Sequence, residues 1–137
     1  MSIFIDTGVF YAARNKADQY HGQAQAILRR IFQKQYGEAF VSDYVVDEVV
    51  TLTHARTKDR KKSVQMLDEC TNSPELFSIL NVDEAEFKQA AQYYRRFAEL
   101  SFTDCTTMTL MKKHGIDRIA TFDSGFKRTG QIEVIEQ

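Results

Sequence analysis

Only two cysteines and one proline occur among the 137 residues. Cys70 and Cys105 fall in stretches with helical patterning and belong to no C-x-x-C or Cys/His spacing. They read as reduced core thiols, which excludes a disulfide scaffold or a zinc site. No basic segment followed by a long apolar run opens the chain, and no apolar run is long enough to span a bilayer. The expectation is a cytoplasmic protein with no membrane contact. Linker-like stretches, low-complexity segments and internal repeats are also missing, so one domain over residues 1–137 is expected, large enough to bury a core unaided. An excess of one charge is absent too. The formal net charge of -1 neither demands nor excludes nucleic acid, because clustered acids can mask basic patches elsewhere.

What is present starts at the second residue. Ile3-Phe4-Ile5 is a short unbroken apolar run of the kind that suits a strand buried on both faces, as a parallel sheet requires. It ends in Asp6-Thr7-Gly8, with a helix expected over Val9 to Ala13. In open α/β sheets, ligands bind beyond the carboxyl ends of the strands. Asp6 is therefore the first candidate for chemistry.

A polar link, Arg14 to Ala17, leads to Asp18, read as the N-cap of a helix that carries Ala24, Ile27, Leu28, Ile31 and Phe32 and stops before Gly37. Ala39-Phe40-Val41 is a second strand, and Ser42 or Asp43 caps a helix reaching about Arg56. On that helix Val45, Val46, Val49, Val50 and Leu52 fill one arc, Glu48 lies at its rim, and Asp47 lies further outside the opposite rim. Arg56, Lys58, Arg60, Lys61 and Lys62 mark a helix–helix junction. The next helix is read with Val64, Leu67 and Cys70 on one face and Met66 beside them, and Ser73-Pro74 breaks it.

Phe77 to Leu80 is a strand candidate. Asp83-x-x-Glu86 is a capping-box start for a helix through Ala98. Ser101-Phe102-Thr103-Asp104 opens a helix ending at His114-Gly115. Ile119 to Phe122 is a strand ending in Asp123, and Ile132 to Ile135 is the last strand. Strands alternating with helices imply parallel β-α units, hence a three-layer α/β/α sandwich with right-handed crossovers.

Asp6 and Asp123 both end apolar strands and so share one edge of a parallel sheet, while Glu48 and Asp104 sit near helix starts beside that edge. Each acid also has a plain structural reading, as a helix cap or a surface charge, and His21, His54 and His114 show no ligand spacing. The joint pattern is harder to explain that way. Crowded carboxylates repel unless something positive sits among them. A hard divalent cation with oxygen ligands answers this, and without thiolate or imidazole partners Mg²⁺ or Mn²⁺ fits better than zinc.

Asp6-Thr7 after a hydrophobic strand, Glu48 in the helix after strand two, Thr103-Asp104 and Thr121-Phe122-Asp123 resemble the acidic motifs of PIN-domain nucleases, over essentially the whole chain. The resemblance implies strand order 3-2-1-4-5 and metal-dependent hydrolysis of RNA, as in VapC-type toxins of toxin–antitoxin modules. It implies that Asp6, Glu48, Asp104 and Asp123 hold Mg²⁺ or Mn²⁺, with Thr7 and Thr103 as supporting hydroxyls, and it selects Glu48 over Asp47. Asp18-x-x-His21 resembles the family as a structural feature. Gly8 departs from the pattern, where a serine is more usual. Arg56, Lys58, Lys127 and Arg128 are candidates to steer the phosphate backbone.

An antitoxin protein is the expected partner, laying a helix in a groove and an Arg near Asp6 and Asp104. A homodimer is expected from the apolar faces with Ile27, Ile31, Phe32 and Leu110. Among rivals, Asp6-Thr7-Gly8 spells the aspartic-protease triplet, but those enzymes are all-β. An aspartyl-phosphate phosphatase wants an acid where Gly8 stands, and a receiver module wants an adjacent acidic pair after strand one. A housekeeping RNA-processing nuclease and a non-catalytic RNA- or protein-binding scaffold are the alternatives kept.

Overall fold

Ile3, Phe4 and Ile5 have no exposed surface, which places the first strand in the middle of the protein rather than at a margin. The computed structural model describes residues 1–130 and 132–137. In chain order the elements are β1 (Ser2–Ile5), α1 (Thr7–Arg14), α2 (His21–Phe32), β2 (Glu38–Ser42), α3 (Asp43–Thr57) and α4 (Arg60–Thr71). They continue with β3 (Ser78–Leu80), α5 (Glu84–Arg96), α6 (Phe102–His114), β4 (Arg118–Ala120), a 3-10 turn (Ser124–Thr129) and β5 (Glu133–Ile135).

The sheet has five strands in the order β3-β2-β1-β4-β5. Every neighbouring pair is parallel, with Phe4 opposite both Phe40 and Ile119. Helices cover both faces, as apolar strands in parallel pairing demand. The expected α/β/α sandwich and its strand order are both found. Successive strands step outward from β1 to β2 and β3, and the chain then returns to the other side of β1 for β4. The C-terminal ends of β1 and β4 therefore flank the topological switch point, the crevice where such sheets bind ligands.

Local chemistry sets the boundaries. Ser42 Oγ accepts from the Val45 amide at 3.1 Å and caps α3. Asp43 instead holds the segment after β3, its carboxylate accepting from the Val82 amide at 3.2 Å. Asp83 and Glu86 form the expected capping box. Gly37 adopts φ +79°, and a Cβ there would lie 2.0 Å from the Met1 carbonyl oxygen, so only glycine lets β2 start alongside β1. Cys70 and Cys105 are free and buried, and burial pushes both thiols up to about 11.

Several boundaries differ from expectation. Helix α1 begins at Thr7, two residues early, because Asp6 caps it. Asp18 is not the cap of α2. Tyr20 occupies that position, and Asp18 Oδ1 closes the preceding turn by accepting from the Tyr20 amide at 2.8 Å. His21 Nδ1 lies 2.8 Å from the Ala12 carbonyl and ties α2 to α1. On α4 the buried face is Ser63, Met66 and Cys70, whereas Val64 and Leu67 are exposed. Spacing of three and four residues admits either face, and packing against α3 selected the one with Met66. Helix α5 stops at Arg96, and β4 ends at Ala120 rather than Phe122.

The apolar faces expected to support a homodimer are covered from within. Ile27, Ile31 and Leu110 are fully buried in the chain itself, and Phe32 is half-buried against the core. These faces leave no apolar surplus for a second copy. The large apolar side chains that are exposed are Met1, Val64, Leu67, Phe87 and Tyr94 among the described residues.

Candidate active site

Asp6 follows β1 directly, and its amide donates to the Ala120 carbonyl at 3.0 Å, one bond beyond the β1–β4 ladder. It therefore stands at the switch point. Its carboxylate is held twice: Oδ1 accepts from the Thr7 amide at 2.9 Å, and Oδ2 accepts from Thr121 Oγ1 at 2.7 Å. Thr121 Oγ1 in turn accepts from the Asp123 amide at 3.0 Å. Asp123 Oδ1 accepts from the Gly125 amide at 2.8 Å, capping the 3-10 turn. A Cβ at Gly125 would sit 2.9 Å from Leu100 Cδ2 and 3.2 Å from Asp123 Oδ1, so the Leu100 and Asp123 side chains close tightly on this turn. Tyr20 stacks on Phe122 with centroids 4.4 Å apart, fixing the same loop from the α2 side.

Asp104 arrives from the opposite direction. It is the third residue of α6, where the Ser101 amide donates to its Oδ2 at 3.1 Å and its own amide donates to Ser101 Oγ at 3.1 Å. The capping box is real, yet the same carboxylate is only 6% exposed. Structural and functional placement coincide, because the helix start that needs a cap lies beside the edge where β1 ends. Glu48 is half-buried in the second turn of α3, whereas Asp47 is exposed, its Oδ1 accepting from Thr51 Oγ1 at 3.4 Å.

Electrostatics connect the four. Burial pushes Asp6 up to about 6, the Thr121 and Thr7 hydrogen bonds oppose this, and the Glu48 and Asp123 charges add to it. Burial also pushes Asp104 up to about 7, with the Asp6 and Asp123 charges raising it and the Ser101 amide lowering it. Glu48 is thus close enough to act on Asp6, and Asp47 is not among its perturbers.

As placed, no group of three His, Cys, Asp or Glu side chains among the described residues closes around a single ion. The donor set nevertheless fits a hard divalent cation in kind. It consists of carboxylates alone, brought by four separate elements, and two of them resist ionisation where they stand. Asp104 Oδ1 and Asp123 Oδ2 are not taken by the cap bonds that anchor their partner oxygens, which leaves one oxygen on each for a cation.

Of the supporting hydroxyls, Thr7 Oγ1 is buried without a hydrogen-bond partner, which suits a group waiting for water or a phosphate oxygen. Thr103 is half-buried beside Asp104, and its carbonyl accepts from Thr106 Oγ1 at 2.6 Å. Thr121 belongs to the Thr121-Phe122-Asp123 motif, but the sequence assigns it no role, although it links two of the acids. Its signal was a hydroxyl two residues before an acid at the end of an apolar strand. Gly8 is exposed, with open space where a Cβ would go, so nothing steric requires glycine there.

The basic candidates divide. Arg56 lies over the Tyr11 ring at 4.8 Å, and Lys58 is the left-handed C-cap of α3. Lys127 is engaged by Glu136 at 2.7 Å, and Arg128 reaches Glu99 at 3.7 Å.

The chain matches the PIN domain family over residues 3–132. It belongs to that family. Among curated relatives, it is 26% identical over 133 residues to the 23S rRNA-specific endonuclease VapC20 of Mycobacterium tuberculosis, covering 96% of this chain and 97% of that protein. A VapC ribonuclease from Archaeoglobus fulgidus is 27% identical over 128 residues, covering 92% of this chain and 80% of the relative. The crystal structure of M. tuberculosis VapC20, described as a sarcin-ricin loop cleaving toxin, superposes with a TM-score of 0.82 at 28% identity, covering 96% and 98% of the two chains. These relatives carry VapC names, and the family match spans all four acid-bearing elements.

Proposed function

We propose that this PIN-domain protein is a metal-dependent ribonuclease, acting as the toxin of a toxin–antitoxin module. The observation that carries the reading is the convergence of Asp6, Glu48, Asp104 and Asp123 at the β1–β4 switch point, with Asp6 and Asp104 both driven upward in pKa by burial and by neighbouring acids. A scaffold has no use for such a cluster, which weakens the fold that carries it. VapC20 and the A. fulgidus protein carry names of ribonucleases, which supports RNA as substrate here. The toxin role draws on the VapC20 description.

When bound, Mg²⁺ or Mn²⁺ would neutralise phosphate charge and lower the pKa of a water at the cleaved bond. Asp6, Glu48, Asp104 and Asp123 would hold it. Thr121 keeps Asp6 in one orientation and favours its ionised form, so that the carboxylate is ready at neutral pH. Ser101 does the same for Asp104 from the α6 cap. Thr7 offers its unpartnered hydroxyl to a phosphate oxygen or the attacking water, and Thr103 is placed to serve from the other side. By analogy with the family, water attacks phosphorus, the P–O3′ bond breaks and the 3′-oxygen leaves with a proton, giving 5′-phosphate and 3′-hydroxyl ends.

An antitoxin would silence the site by placing an Arg among the same carboxylates, where a guanidinium replaces the cation's charge. The working form we propose is a homodimer, with Phe87 and Tyr94 of α5 as the apolar side chains a second copy would cover. The deciding experiment is Mn²⁺-dependent cleavage of a mixed RNA pool, with 23S rRNA as one structured substrate and end mapping of the products. Cleavage equal in EDTA, or products with 2′,3′-cyclic ends, would refute the reading.

A further inference from the structure

Helices α1 and α3 both leave the sheet at its C-terminal edge and pack against each other. The acids lie at their beginnings. Further along, the two helices and α4 line a cavity of about 500 Å³ whose walls include none of the four acids. Its walls include Tyr11 and Arg14 from α1, Arg56 from α3, and Lys62 and Glu69 from α4, over Met66. Three cations face one carboxylate. Arg14 is satisfied by Glu69 at 2.7 Å. Among the described residues Arg56 is held only by its stacking on Tyr11 at 4.8 Å, which leaves its N–H edge without an acid, and Lys62 forms no ion pair.

We infer that this cavity is an anion subsite that binds a backbone phosphate of the RNA strand away from the scissile bond. The inference rests on the ribonuclease reading of the acid cluster and extends it. Tyr11 stands five residues after Asp6, and Thr53 on the same wall stands five after Glu48. At a helical rise of about 1.5 Å per residue both intervals are roughly 7.5 Å. That is about two nucleotides at the ~3.4 Å rise of a stacked strand. Measured along the helix axes, the cations thus lie within a few nucleotides of the acids, in reach of a strand whose scissile phosphate is held at Asp6.

Charge makes the second site necessary. The acid cluster repels a phosphodiester until a cation is present, so the strand needs fixed positive charge nearby to dock. Arg56 is suited to that role, since the Tyr11 ring orients its guanidinium plane and leaves the N–H fork for phosphate oxygens. Lys62 adds a point charge from the facing helix. An acidic protein segment would find the same two cations. RNA is favoured because the cavity is lined by α1 and α3, the same two helices that carry Asp6 and Glu48 near their starts, where the scissile phosphate must lie.

The test uses the intact protein and a fluorescein-labelled single-stranded RNA 12-mer, with binding followed by anisotropy in EDTA across a salt series. Lys62→Glu is compared with Lys112→Glu, which makes the same change of net charge in the exposed last turn of α6, and Arg56→Ala is measured alongside. The cavity variants should bind roughly tenfold more weakly at low salt, the scale of one charge-assisted hydrogen bond. The slope of log affinity against log salt should fall by about 0.7 for each phosphate that the variant no longer neutralises. Lys112→Glu should stay close to wild type.

Equal losses in Lys62→Glu and Lys112→Glu, or no loss in either, would overturn the subsite. So would variants that bind RNA normally but no longer co-purify with an antitoxin, which would assign the cavity to an acidic protein segment. The ribonuclease reading fails separately, when wild-type protein with Mn²⁺ cuts no RNA, because the binding series contains no metal and needs no cleavage.

Discussion

Asp104→Asn removes one charge from the acid cluster while leaving a carbonyl oxygen to accept from the Ser101 amide. The Asp104 carboxyl is pushed from the ordinary 3.8 up to about 7, first by burial and then by the Asp6 charge. A folded pKa above the unfolded one means the folded state holds the proton more tightly. The associated stability is full below pH 3.8 and is lost as pH rises through about 7. A shift of about three units at 1.36 kcal/mol each corresponds to roughly 4 kcal/mol lost by pH 8. Asn recovers only part of this, because a buried amide also costs desolvation and because relief of the Asp6 repulsion is shared between both carboxyls. A gain of about 2 kcal/mol is expected. With an unfolding entropy of ~2.1 cal/mol/K per residue, that raises the apo Tm by about 7 °C at pH 8. The gain should fall below half at pH 5 and nearly vanish at pH 4. Thermal melts followed by circular dichroism in EDTA at three pH values read it directly. A difference between variant and wild type that stays constant across pH, or that grows as pH falls, would refute the electrostatic reasoning and leave Asp104 as a cap alone.

Adding Mg²⁺ or Mn²⁺ should reverse that order, stabilising wild type by mass action, about 2.7 kcal/mol at a hundredfold excess over Kd, while Asp6→Asn responds weakly; equal shifts in both would put the metal elsewhere. Glu48→Gln should lose at least a hundredfold in RNA cleavage and Asp47→Asn should stay within about threefold, on the scale of a charged group in a metal site against an exposed side chain, as initial rates with Mn²⁺ will show. Thr121→Val removes the 2.7 Å hydrogen bond to Asp6 and frees the Asp6 pKa to rise further above about 6, so the acid limb of the rate–pH profile should move to higher pH. Thr121→Ser should restore it, and an unmoved limb in the valine variant would end the positioning role. Ser101→Ala should cost about 1 kcal/mol of stability, the worth of an N-cap side chain, measured by urea unfolding.

The layered α/β plan and the order of its elements were legible along the chain. Ile3-Phe4-Ile5 could only suit a strand covered on both faces, and each strand was followed by helical spacing. These signals are local, carried by period and by caps such as Ser42, Asp83 and Ser101. The strand order, by contrast, came from the family resemblance, as did most of the choice of Glu48 over Asp47, since a helical wheel puts Glu48 at the rim of the apolar arc and favours it only mildly. Packing decided between them: α3 turns Glu48 toward Asp6 and leaves Asp47 in solvent. It also decided which face of α4 is buried. Val64 and Leu67 satisfy helical spacing as well as Met66 and Cys70 do, and only packing against α3 distinguishes the two. The same held for the apolar faces of α2 and α6, which the chain covers by itself. The bridge that Thr121 makes to Asp6 and the cavity beside Tyr11 were not legible locally. A hydrogen bond spanning 115 residues, and a space bounded by three helices, exist only once the chain has closed upon itself.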